Sequence, residues 1–135
     1  MLGKLIYEHK AKITGKRVLD VAGPTIETSY SRTGTFKGVV EVTEIGTYCG
    51  KVNLSGAVYG EGQGVVMTKD GSEVATWKGS GVGRMGDGRK MSWRGVVYYD
   101  TSSTGKLSFL TNMVTVFEYG VDEEGHTTAK LWEWK

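Results

Sequence analysis

The sequence predicts an all-β fold, a single eight-stranded antiparallel up-and-down β-barrel over residues 1–135. Three observations predict it. Apolar and polar residues alternate with a period of two through most of the chain, and helical periodicity is hard to find. Eight such runs follow one another, mostly joined by short turn-forming stretches. Glycine makes up 21 of the 135 residues, about twice its average usage of roughly 7%. It is spread through the strand-like runs, as a strongly curved sheet requires.

Taken in order, Leu5, Tyr7, His9, Ala11 and Ile13 alternate with Ile6, Glu8, Lys10 and Lys12, giving a first strand near 4–14. A connection containing AGPT leads to a second strand, IETSYSRTG, near 25–33. TFKGVVEVTEIGTYCG gives a third near 35–48, and a fourth runs over about 52–68 into Asp70-Gly71, a strong hairpin signal. SEVATWKGSGVGRM is the fifth, closed by GDG at 86–88, and RKMSWRGVVYYDT is the sixth, closed by SSTG. KLSFLTNMVTVFEYGVD is the seventh, closed by EEG at 123–125, and HTTAKLWEWK is the eighth. A sheet of eight strands with this much glycine tends to close, because closure removes its edges.

Composition narrows the function. Hydrophobic residues at 39% and charged residues at 24% describe an ordinary globular chain. A net charge of +2 is too small for nucleic-acid binding, and the basic positions Lys4, Lys10, Lys12, Lys16 and Arg17, interleaved with Glu8 and Asp20, read as a solvated strand face. Cys49 is the one cysteine, so neither an intramolecular disulfide nor a cysteine metal cluster forms. The opening MLGKLIYEHK has no signal-like apolar run, and no segment approaches the roughly 20 apolar residues of a membrane span. The expectation is a cytoplasmic protein with no membrane partner.

The runs GEGQGVVMTKDGSEVATWKGSGVG, YYDTSSTGKL and KLWEWK resemble a group of small, mostly uncharacterised prokaryotic barrel proteins. These are similar in turn to the allene oxide cyclase-like, dirigent-like barrels, with their calycin-type appearance. The resemblance covers most of the chain in architecture and spacing. It implies a reaction or a ligand inside the barrel, since that superfamily includes cyclases and proteins guiding the coupling of hydrophobic intermediates. The plant cyclases' catalytic positions have no residue-by-residue match here, so no catalytic residue is transferred.

Several motifs are better read as structure than as chemistry. Gly81-Val82-Gly83-Arg84-Met85-Gly86 spells G-x-G-x-x-G, but a turn and another strand follow it where a dinucleotide site requires a helix. His9 and His126 lie at opposite ends of the chain without metal-ligand spacing. Cys49 lacks a neighbouring base, and no serine occupies a nucleophile elbow. Neither a cofactor nor a metal is expected.

The candidate site lies in AVYGEGQGVVMTKDG, residues 57–71, where Glu61 and Gln63 alternate with glycines. If the face carrying Tyr59, Val65 and Met67 points inward, both polar groups enter the barrel. Burial would then raise the Glu61 carboxyl, as suits a general acid or base, and Gln63 would hold a carbonyl or a water. If the face points outward, or if Glu61 pairs with Arg94, the two are structural. Other candidate ligand-binding residues are Trp77, Arg94, Tyr98, Phe117 and Tyr119, although a barrel core uses the same aromatics. The parity of the sixth strand is open, because Met91, Trp93, Val97 and Tyr99 are as apolar as the set containing Arg94.

Strands six and seven are apolar on both faces, and Trp132 and Trp134 oppose Leu131 on the eighth. A wall apolar on both sides is a covered wall, so a homo-oligomer is expected. Three functions remain: binding of a small hydrophobic ligand, a cofactor-independent isomerase or cyclase with Glu61 transferring the proton, and an oligomeric interaction protein with a filled barrel.

Overall fold

The computed structural model describes residues 2–135, with Arg89 described by its backbone alone. Eight strands are present: β1 (Leu2–Asp20), β2 (Thr25–Phe36), β3 (Val40–Val52), β4 (Val58–Thr68), β5 (Val74–Met85), β6 (Met91–Asp100), β7 (Met113–Val121) and β8 (His126–Trp134). Each pairs antiparallel with the next, and β8 pairs with β1 to close the barrel. The expected up-and-down barrel is therefore the observed one. Among the described residues no helix is long and apolar enough to cross a membrane, a statement that concerns helical spans only.

β1 runs on to Asp20 and β3 to Val52, past their expected ends near 14 and 48, and three further boundaries differ from expectation for a physical reason. The break expected around Gly34 falls instead at Lys37 and Gly38, both at positive φ (51° and 73°), where Val39 N donates to Phe36 O. Gly34 stays inside β2 because the Tyr7 ring lies against it; a Cβ there would come 2.8 Å from Tyr7 Cε1. The fourth strand starts at Val58, since 53–57 forms a turn in which the Asn53 side chain accepts from Ser55 N and Ser55 Oγ.

The seventh strand begins at Met113, not near Lys106. Ser108–Leu110 is a 3-10 turn, and Asn112 at φ 51° ends it. Leu107 and Leu110, three positions apart on that turn, are fully buried with Phe36 and Tyr99 in the core. Their burial stabilises by about 1.5–3 kcal/mol each. This segment plugs one end of the barrel. Glu73, at the β4–β5 turn, latches it by accepting from Lys106 N (3.0 Å), Leu107 N (3.0 Å) and Ser103 Oγ.

Glycines floor the interior of the sheet. Gly60, Gly62 and Gly64 of β4 face inward, as do Gly46 of β3 and Gly83 of β5, and aromatic rings lie against them. The Tyr30 ring covers Gly46, Trp77 covers Gly64, and Trp93 lies over both Gly60 and Gly83. A Cβ at Gly60 would come 2.6 Å from Trp93 Cζ3. An eight-stranded barrel has barely enough width for its own side chains. Here the missing glycine side chains make the room that the large rings use.

Candidate functional site in the barrel lumen

The alternation of β4 decides the fate of the expected site. Gly60, Gly62, Gly64, Val66 and Thr68 point into the barrel, so Tyr59, Glu61, Gln63, Val65 and Met67 point out and are exposed. Glu61 accepts a hydrogen bond from Tyr59 Oη (3.0 Å) on the outer surface. Of the two orientations the sequence left open for Tyr59, Glu61 and Gln63, the outward one is observed, so none of the three reaches the lumen with its side chain: had they pointed in, Trp93 and Trp77 would have met side chains where they now meet glycine.

β6 resolves the same way. Trp93, Val97 and Tyr99 are buried in the lumen, and Arg94 and Tyr98 are exposed outside. Arg94 faces Glu118 at 3.6 Å and not Glu61. Of the candidate ligand-binding residues, Trp77, Phe117 and Tyr119 do line the interior cavity.

The interior holds a polar centre that the sequence reading did not single out. Arg32 of β2 and Glu44 of β3 are directly opposed in the register and both point inward. Their side chains are 5% and 1% exposed, so the pair is removed from water. Glu44 Oε2 accepts from Arg32 Nη2 (2.6 Å), Trp77 Nε1 (3.0 Å) and Tyr30 Oη (3.2 Å). The Arg32 guanidinium also lies 4.4 Å from the centre of the Tyr30 ring, within cation–π range.

Burial works against the Arg32 charge, but Glu44 and the nearby Tyr30 and Tyr7 hold its pKa above the usual value. Burial and the Glu44 charge push Tyr30 and Tyr7 up, so both phenols keep their protons. His9 of β1 lies on the same lumen and is lowered to about 2 by burial, with the Arg32 charge adding to the effect. It is therefore a neutral imidazole at ordinary pH.

A cavity of about 80 Å³ adjoins this centre. Its polar lining includes His9, Arg32 and Glu44, and its aromatic lining includes Tyr48, Trp93, Phe117 and Tyr119. Tyr48 of β3 and Tyr119 of β7 reach across the lumen with hydroxyls 3.3 Å apart, long for an O–H···O bond. Four buried polar atoms on the cavity residues have no hydrogen-bond partner among the described residues: His9 Nδ1, Arg32 Nε, Arg32 Nη1 and Glu44 Oε1. Buried polar groups are rarely left in that condition, which marks this part of the interior as unusual.

The signal for this pair was in the sequence. Arg32 and Glu44 stand equally far on either side of Gly38, so a hairpin centred there pairs them. A turn placed near Gly34 breaks that symmetry and hides it. His9 and His126 do not come together: His9 is buried, while His126 is exposed beside Asp122 (3.5 Å) and Glu124 (3.7 Å).

Fold and lumen together define a class: a closed eight-stranded antiparallel barrel with an ion pair and aromatic rings sealed inside. Solved structures of the same architecture follow from it. The chain is similar to a conserved protein of unknown function from Rhodopseudomonas palustris, with a TM-score of 0.78 at 12% identity, covering 98% of this chain and 97% of that one. It is also similar to a β-barrel-like protein from Acinetobacter baumannii AYE, with a TM-score of 0.76 at 15% identity, covering 100% of this chain and 96% of that one. At these identities the likeness concerns the fold. No protein-family model and no curated protein matches the chain.

Proposed function

We propose that this chain is a small-molecule-binding barrel that holds a compact, largely apolar ligand in the lumen between β3–β6 and the β7–β8–β1 wall. One observation carries the reading: an interior cavity lined mostly by aromatic rings adjoins the buried Arg32–Glu44 pair. The resemblance to allene oxide cyclase-like barrels, whose chemistry occurs inside the barrel, agrees with the location. An isomerase or cyclase that uses Glu61 does not, since that carboxylate lies on the outer surface.

Association into a homo-oligomer belongs to the same proposal. Leu5, Trp132, Val116 and Val96 form one row across the outer wall of β1, β8, β7 and β6. One step along the strands runs a parallel row of alternating charge: Glu8, Lys130, Glu118 and Arg94. A two-fold axis parallel to the strands would set the charged row of one copy against the reversed row of another. Glu8 would then meet Arg94 and Lys130 would meet Glu118, the self-complementarity that an isologous contact requires.

Gentle purification, denaturation and mass spectrometry of the released small molecules test the binding reading. A stoichiometric compound recovered from the wild type and lost from an Arg32→Met/Glu44→Gln variant supports it. Recovery of the same amount from both proteins would remove the polar centre from any role in binding.

A further inference from the structure

The two ends of the barrel are closed in different ways. At one end the β6–β7 connection folds inward: Leu107 and Leu110 are fully buried, and Phe109 packs against the core. Phe36 stands between Phe109 (ring centres 5.7 Å apart) and Tyr99 (5.8 Å). Tyr99 lines the cavity, whereas Phe36, Leu107 and Leu110 do not. A route from this end would have to expose two leucines and break the Glu73 contacts to Lys106 N, Leu107 N and Ser103. It would then have to pass the packed Phe36 ring. Exposing each leucine alone lowers the open population by roughly tenfold or more.

The opposite end has no such plug. Its connections, 21–24, 53–57, 86–90 and 122–125, place no side chain in the core cluster among the described residues. Aromatic side chains close it instead. Trp93, the third residue of β6, is directly opposed in the register to Tyr119, third from the end of β7. Tyr48 reaches them from β3, its ring centre 5.7 Å from each. All three rings line the cavity, and Tyr48 and Tyr119 are only half-buried. Trp93 is held against the glycine backbone of three positions, Gly50, Gly60 and Gly83. Tyr48 and Tyr119 are joined by the 3.3 Å hydroxyl contact, which is long for an O–H···O bond. Opening here breaks that one weak bond and turns two side chains, with no change in the path of the backbone.

Resting on the binding reading above, we infer that Tyr48 and Tyr119 form the gate through which a ligand reaches the lumen, with Trp93 as its fixed side, and that the 101–112 segment is a permanent plug. The two tyrosines then set the size of what enters, and the Arg32–Glu44 pair lies behind them on the same cavity.

The test is hydrogen exchange, followed by NMR, at the indole N–H of Trp77, which lines the cavity and donates to Glu44 (3.0 Å). That proton exchanges only when solvent enters the lumen, so no ligand is needed. Tyr119→Phe removes the hydroxyl and keeps the ring. It is expected to speed the exchange by about two- to tenfold, the worth of one hydrogen bond. Tyr119→Ala, which removes the ring as well, is expected to speed it further. Glu73→Gln is expected to speed exchange at the Leu107 and Leu110 amides while leaving the Trp77 indole at its wild-type rate. The amides of β3 report global unfolding in every variant. Faster exchange at Trp77 in Glu73→Gln would overturn the inference and make the plug the way in. An unchanged Trp77 rate in both Tyr119 variants would overturn it too. So would an acceleration matched by the β3 amides, which would mean that the lumen opens only by unfolding. None of these outcomes touches the binding reading, which stands or falls on the compound released from the purified protein.

Discussion

Replacing Glu44 by Gln removes one charge from a sealed pair and changes almost nothing in shape. The amide oxygen can still accept from Trp77 Nε1 and Tyr30 Oη, the two neutral donors on Glu44 Oε2. What it cannot do is neutralise Arg32, whose side chain is 5% exposed. Breaking a buried pair in this way costs about 3–5 kcal/mol, because a charge is left in low dielectric without its counter-ion. For a domain of this size that corresponds to a fall in Tm of roughly 10–18 °C. The second half of the argument is the double variant Arg32→Met/Glu44→Gln. It removes the orphaned cation and keeps the acceptor for Trp77 and Tyr30, so most of the loss should return. Urea unfolding of the wild type, both single variants and the double variant closes the cycle. A Glu44→Gln cost below about 1 kcal/mol would mean that water reaches Arg32. A double variant no more stable than Glu44→Gln would refute charge compensation as the reason the pair matters.

Gly64→Ala should destabilise by about 2–4 kcal/mol, because its Cβ overlaps Trp77 Nε1 and displaces that ring from Glu44. Gly15→Ala, with no atom within 4 Å of its Cβ, should be neutral or slightly stabilising; equal losses at the two sites would sink the glycine-floor argument. His9 has its folded pKa lowered to about 2 against an ordinary 6.5, so below pH 6.5 the unfolded chain binds the proton first and stability falls with pH. Between pH 7 and 4.5 that amounts to about 2–3 kcal/mol, and a His9→Gln variant losing as much over the same range would exclude His9 as the cause. Glu73 is held below its usual range by Leu107 N, Ser103 and Lys106 N, so its latch is present above about pH 4.5 and is lost as pH falls. Glu73→Gln should speed amide exchange at Leu107 and Leu110 while sparing β3, and unchanged exchange there would show that the plug holds itself. Sedimentation across micromolar concentrations should show more than one chain per particle, shifted toward the monomer by Trp132→Glu; a monomer at every concentration would refute association through that wall.

The sequence by itself determined the strand count and their antiparallel order, because these depend on local alternation and on turn residues that lie next to one another in the chain; closure, the pairing of β1 with β8, joins the two ends of the chain and was signalled only by the glycine content of so many strands. It also carried the abundance of glycine and the mixed outer and inner chemistry of β6 and β7. It did not decide which parity of β4 faces the lumen. A period of two is the same pattern read from either face, and Glu61 with Gln63 looked as purposeful as the glycines between them. Only tertiary packing breaks that symmetry. Trp77 arrives from β5 and Trp93 from β6, and their rings need the volume that Gly60 and Gly64 leave open, which forces the polar residues outward. The Arg32–Glu44 pair is the same lesson in register. It was latent in two strands equidistant from Gly38, but it exists only because the Tyr7 ring, from β1, holds Gly34 within β2 and leaves the turn to Lys37 and Gly38.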